Sequence, residues 1–249
     1  MATNCCGVKP LPVLTARYLL KIISVINQKG GVGKSTITVN VSYECARQGK
    51  KVLVIDLDPQ AHSSIPLGKM RAEFSIVDVL SDRQFDIEKA IYPAQVDDNP
   101  IENLFIIPSG IRLAAAAERM IARNHREKIL EIALKKVKDR FDFIFIDCPP
   151  TLGVLAVNGV YVADEFIIPV TPSRQALDGV ADLFGVIREI KESENFRYQI
   201  VRSMFDQRTS KSIGFIEEEL SIFGSNIADT IIRRYEAVNQ AYMAEKPLS

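Results

Sequence analysis

The segment from Leu19 to Ser35 constrains the fold of this 249-residue chain more than any other. Leu19 to Ile26 is a mainly apolar, β-branched run that stops at Asn27. Glycines stand at 30, 31 and 33, and Ser35 to Gln48 then has helical composition and length, closed by Gly49. A second apolar run, Lys51 to Ile55, ends at Asp56. Strand, glycine loop, helix and strand in that order form the opening unit of a parallel sheet.

The rest of the chain repeats the theme. Short apolar runs recur at Leu104 to Ile107, Phe141 to Ile146, Phe166 to Val170 and Tyr198 to Met204. Helical stretches at Glu127 to Val137, Leu152 to Ala163 and Leu177 to Ile190 separate most of them. Near-continuous apolar strands require a sheet covered on both faces. Ile213 to Phe223, Ile227 to Ile231 and Tyr235 to Ala244 suggest a further helix, strand and helix. Gln60 to Pro100 is the least regular stretch, read as short helices and loops. No Pro/Gly/Ser linker divides the chain. The expectation is one α/β domain over 19–249, a twisted and mostly parallel sheet with helices on both faces. Residues 1–18 read as a flexible N-terminal extension.

Charge narrows the function. The formal net charge is zero and the pI about 6.8, so any nucleic-acid contact must be a local patch. The cysteines Cys5, Cys6, Cys45 and Cys148 lack metal-ligand spacing and read as reduced thiols. No apolar run reaches the ~18 residues of a membrane span. The sequence also lacks a convincing secretory signal, and a cytoplasmic location follows as the expectation.

Lys29-Gly30-Gly31-Val32-Gly33-Lys34-Ser35 lies between strand and helix. Glycines let backbone N–H groups turn inward onto phosphate oxygens, and the helix adds its N-terminal donors and dipole. Lys34 would reach the β- and γ-phosphates, and the Ser35 hydroxyl would ligate Mg²⁺. The general phosphate-loop pattern asks for glycine where this chain has Gln28, and an extra lysine, Lys29, heads the loop.

Asp56 and Asp58 follow the second strand, at the end where ligands bind in open α/β sheets. Alternation in an extended chain would place them on one side, ~6–7 Å apart. One would serve the metal's water shell and the other an attacking water. Asp147 ends the run Phe141 to Ile146 and precedes Cys148-Pro149-Pro150, as a second carboxylate on the magnesium side would. The prolines stiffen the turn after it. Neither histidine, His62 nor His125, belongs to a triad, so attack by water is the economical chemistry.

Together, Lys29 to Ser35, Asp56 to Gln60 and Asp147 to Pro150 resemble the ParA family of partitioning ATPases, in the class that also holds MinD. The resemblance runs from about Leu20 to Leu248 and includes Pro169 to Gly179 and Ser203 to Thr209. It implies that Lys29 reaches the phosphates of a second subunit. Gly30, Gly31, Val32, Gly33, Lys34, Ser35 and Thr36 would hold ATP. Mg²⁺ would sit at Ser35 with support from Asp56 and Asp147, while Asp58 positions water and Met204 and Phe205 lie near adenine. The resemblance further implies an ATP-dependent homodimer that binds double-stranded DNA without sequence preference. A centromere-binding ParB-like partner would stimulate turnover, and the protein would associate with the nucleoid.

Two basic regions could meet DNA. Arg119 to Arg140 holds eight Lys/Arg against three Asp/Glu. Arg208, Lys211, Arg233 and Arg234 are better placed by the resemblance, although Glu217, Glu218 and Glu219 lie near them. The main alternative is a ParA/MinD-like positioner of a protein assembly or of the division machinery. A membrane version would end in a basic amphipathic helix, whereas this chain ends Glu245-Lys246-Pro247-Leu248-Ser249, so no stable anchor is expected.

Overall fold

A computed structural model describes residues 20–68, 72–173, 176–205, 214 and 217–248. The proposed extension, 1–18, therefore lies outside the described residues, as do Arg208 and Lys211. Eight strands form a single sheet: β1 (Lys21–Val25), β2 (Val52–Asp56), β3 (Tyr92–Val96), β4 (Asn99–Ile107), β5 (Phe143–Asp147), β6 (Glu165–Val170), β7 (Arg197–Phe205) and β8 (Ile227–Arg233). Their spatial order is β3-β4-β2-β5-β1-β6-β7-β8. Only the β3–β4 pair is antiparallel.

The strands are apolar nearly throughout because both faces are covered. Along β1, β2 and β5, alternate side chains enter different cores. Ile23, Val52, Val54, Phe143 and Phe145 pack with Val39 and Ala46 of α1 (Lys34–Arg47). Ile22, Leu53, Ile55, Ile144 and Ile146 join the larger core on the opposite face. That core lies under α2 (Ile76–Ser81), α3 (Arg112–Ile121), α4 (Ile129–Leu134), α5 (Val154–Val162) and α6 (Ala176–Lys191). A last helix, α7 (Glu236–Met243), follows β8. Beyond it Lys246 pairs with Asp97 in the β3–β4 turn at 2.7 Å, and the Leu248 amide donates to Asn40 of α1 at 2.7 Å.

Three expectations change. Gln60 to Pro100 contains α2, a 3-10 turn at Ile87–Ala90 and the strand β3. β3 escaped the sequence reading because Pro93 interrupts its run; as an edge strand it tolerates a residue without an N–H. The helix expected over Glu127 to Val137 is α-helical only at Ile129–Leu134, with 3-10 turns on both sides. α3, an alanine-rich helix, was unread. The helix expected over Ile213 to Phe223 lies partly outside the described residues.

The chain leaves β1 for β2 in one direction and returns from β5 to β6 in the other. The loop after β1 therefore opens at the crevice beyond the carboxyl ends of the central strands. Behind it, α5 approaches β5 closely at Gly159. A Cβ added there would lie 2.8 Å from Cys148 Sγ and 3.4 Å from Leu57 Cδ1. Gly159→Ala is therefore expected to destabilise the fold by about 1–3 kcal/mol in urea denaturation. Adding Cys148→Ala should recover part of that loss through the shared contact. Strictly additive effects would show that the close approach is not what glycine serves.

Candidate nucleotide and magnesium site

The loop from Asn27 to Ser35 is built from its ends inward. Asn27 is buried, and its Nδ2 donates to the Pro169 carbonyl at 2.7 Å, tying the loop's entry to the end of β6. Its Oδ1 accepts the Lys29 amide at 2.9 Å. Gly31 (φ 70°) and Gly33 (φ 92°) take left-handed conformations that are costly for other residues. At Gly33 a Cβ would also stand 3.0 Å from Ser203 Oγ. Gly33 is the N-cap of α1, which has no side-chain cap and no acidic residue in its first turn. The leading amides of α1 are thus left for an external anion.

The two loop lysines point to different tasks. Lys34 is buried, and its Nζ folds back to the Lys29 carbonyl at 3.1 Å. Burial pulls its pKa below the usual lysine value, while Asp147 and Asp58 oppose that shift. Lys29 is exposed, and its Nζ donates to Ser173 Oγ at 2.9 Å. One cation sits over its own loop and the other stands at the surface.

Asp56 and Asp147 are register partners on the adjacent strands β2 and β5, and both are fully buried. Burial, and then the charge of Asp147, holds the Asp56 carboxyl well above the usual carboxylate range. Burial likewise raises Asp147, to about 6, against the pull of Ser63 and Ser35. Asp56 accepts the amides of Asp58 (3.0 Å), Ser63 (3.2 Å) and Ser64 (2.9 Å), and the Ser64 hydroxyl (2.7 Å). Its oxygens are therefore spent on the loop that carries Asp58. Direct ligation of a metal by Asp56 would cost some of these bonds, whereas support through the metal's water shell, the role expected from the sequence, would not require it.

Asp147 differs. Ser63 Oγ donates to its Oδ2 at 2.6 Å, while its buried Oδ1 has no hydrogen-bond partner. A buried oxygen without a partner, on a carboxylate that also feels the Ser35 hydroxyl, fits a hard divalent cation. Among the described residues no cluster of three or more His, Cys, Asp or Glu could hold a metal by itself. A cation here would draw on Ser35, on phosphate oxygens and on water, with Asp147 in support.

Asp58 does not continue the alternation of β2, because the strand ends at Asp56 and the chain turns. Its backbone N–H folds onto Asp56, its Oδ1 accepts the Gln60 amide at 2.9 Å and its carbonyl accepts Ser109 Oγ at 2.7 Å. Asp58 still interacts electrostatically with Lys34 and Asp147. Met204 has a left-handed φ of 58°, and its Cε lies 3.9 Å from the Cβ position of Gly33. Phe205 packs into the main core, so of this pair only Met204 offers a side chain to the cleft.

The basic segment is largely spent on the fold. Arg123 donates to the Leu80 and Ser81 carbonyls at the end of α2 (2.6 and 3.1 Å), and Arg126 to Ile121 at the end of α3 (3.0 Å). Lys135 pairs with Glu131 at 3.2 Å, and Arg140 with Glu88 at 3.0 Å. Arg233 and Arg234 are exposed at the end of β8. Sequence reasoning missed Asn27, Ser63, Ser64 and Ser109; no residue pattern marks them.

Comparison with known proteins identifies the family. The AAA domain family model matches residues 20–200. The chromosome-partitioning ATPase Soj of Treponema pallidum is 34% identical over 232 residues, covering 92% of this chain and 89% of that protein. A plasmid partition protein of Borrelia burgdorferi bound to AMPPNP superposes with a TM-score of 0.78 at 27% identity, covering 92% and 91% of the two chains. The cobyrinic acid a,c-diamide synthase of Mycobacterium smegmatis, with a bound ATP analog and magnesium, gives 0.76 at 28% identity and 91% coverage of each chain. Matched at 34% identity along nearly its whole length, this protein belongs to the ParA/Soj family of partitioning ATPases.

Proposed function

We propose that this ATPase is an ATP- and Mg²⁺-dependent switch whose loaded dimer binds duplex DNA without sequence preference and so distributes a chromosome or plasmid. The observation that carries the reading is the division of labour between Lys34, buried over its own loop, and Lys29, exposed beside Ser173. Two triphosphates brought face to face repel, and a cation from each loop offsets that charge only when a second subunit supplies phosphate. ATP then sets the oligomeric state. Lys34, Ser35 and Thr36 with the glycine amides hold the phosphates, Met204 lines the adenine side, and Asp58 positions the attacking water. Asp147 and Ser35 hold Mg²⁺, which neutralises charge on the phosphate oxygens when bound.

Duplex DNA would meet Arg233 and Arg234, and by the family resemblance Arg208 and Lys211 as well. Two modest patches on a dimer bind phosphates with avidity and strong salt dependence. A centromere-binding, ParB-like protein would be the partner that stimulates turnover. Among the described residues no helix is long and apolar enough to cross a membrane.

The test is the ATPase rate with and without duplex DNA at low salt. Lys34→Ala should lower turnover by about 100-fold or more, as loss of a phosphate-facing cation does. Lys29→Ala should weaken ATP-dependent dimerisation and turnover more than ATP binding; normal turnover and dimerisation would remove its role across subunits. If the ATP-loaded protein ignores plain duplex DNA, the nucleoid reading falls.

The buried carboxylates add a stability signature. Their folded pKa values exceed the unfolded ones, so the native state binds more protons at mildly acidic pH. Nucleotide-free protein should therefore lose stability as pH rises from about 4, the unfolded value, through about 6, the Asp147 value, and on to about 8, the Asp56 value. At neutral pH, Asp147→Asn should raise the melting temperature while removing Mg²⁺-dependent turnover. A lower melting temperature would contradict the like-charge account.

A further inference from the structure

Three serines unaccounted for by the loop motif form a continuous hydroxyl ladder behind the site. Ser63, Ser64 and Ser109 are all buried. Ser63 Oγ donates to Asp147 Oδ2 at 2.6 Å, from the loop after β2 to the tip of β5. Ser64 Oγ donates to Asp56 Oδ2 at 2.7 Å and accepts the Ser109 amide at 2.9 Å, joining β2 to the loop after β4. Ser109 Oγ closes the ladder by donating to the Asp58 carbonyl at 2.7 Å. Three strand tips are tied together through these hydroxyls.

Their chemistry suits the task. A serine hydroxyl donates to a carboxylate without adding charge, whereas a lysine or arginine in its place would compete with Mg²⁺. Ser63 engages only one oxygen of Asp147, and the other is the atom left without a partner. Ser109 grips the backbone of Asp58 and leaves the carboxylate to other work. Loss of such outer partners lowers metal affinity or activity by about 10–100-fold in other sites.

We infer that Ser63, Ser64 and Ser109 are positioning residues for this ATPase, Ser63 aiming Asp147 at the cation, Ser109 setting Asp58, and Ser64 joining the two halves through Asp56. The inference rests on the nucleotide reading above and assigns roles that the loop motif does not contain.

The test separates aim from mere stability. In ADP, Mg²⁺ should raise the melting temperature of the parent protein, and Ser63→Ala should need about 10-fold more Mg²⁺ for half of that rise. Ser63→Thr, which keeps the hydroxyl, should need the parent concentration. Where the alanine variant shows no cooperative melt, Ser63→Gly takes its place. An unchanged Mg²⁺ requirement in the hydroxyl-free variant overturns the role of Ser63. For the other arm, Ser109→Ala should lower kcat about 10-fold with KM for ATP within about twofold. In an Asp58→Asn background it should cost nothing further, because the carboxylate that its backbone contact positions is already gone. An additive loss, or none in the parent background, overturns the role of Ser109. A parent protein that shows neither Mg²⁺-dependent stabilisation nor turnover would instead sink the nucleotide reading itself.

Discussion

Two carboxylates buried side by side at the tips of β2 and β5 set the terms for everything around them. Neither Asp56 nor Asp147 reaches water, and each raises the cost of ionising the other. Such a pair persists only where hydrogen bonds and a nearby cation compensate. Lys34 supplies part of that charge and is held over the site by its own loop. The amides of residues 58, 63 and 64 supply the rest for Asp56, which forces the chain after β2 into a tight turn. Asp147 keeps one buried oxygen with no hydrogen-bond partner, the feature on which the proposed divalent-ion site rests.

Much of this was legible in the residues. The sheet's centre could be read because β1, β2 and β5 are buried on both sides, so their composition is nearly continuously apolar rather than alternating. The loop could be read because helix amides facing an anion demand glycines and a lysine at set positions. The edge was harder. β3 carries a proline and pairs antiparallel through a turn at Asp97 and Asp98, both in the left-handed conformation, which look like ordinary loop residues. α3 was obscured by the basic segment it leads into.

Serines that steady the carboxylates had no sequence signal at all. Ser63 meets a residue 84 positions away, and only the register of β2 with β5 brings them together. The density of positive charge between Arg119 and Arg140 was misleading for a related reason. Helix ends expose carbonyls, and arginines at 123 and 126 satisfy them locally. Charge that looks available in a string of letters is committed once helices have ends. Asp56 shows the same limit from the other side: its place at a strand tip suggested a ligand, and its neighbours turned it into the anchor of a turn.

The tail after α7 has a practical side. Through Leu248 and Lys246 it is fastened to Asn40 on α1 and to the β3–β4 turn. α1 is also the helix that begins at Lys34. These two fastenings couple the stretch after α7 to the β3–β4 turn and to the helix that begins at Lys34, so a substitution at Asn40 or Asp97 would be felt at both places.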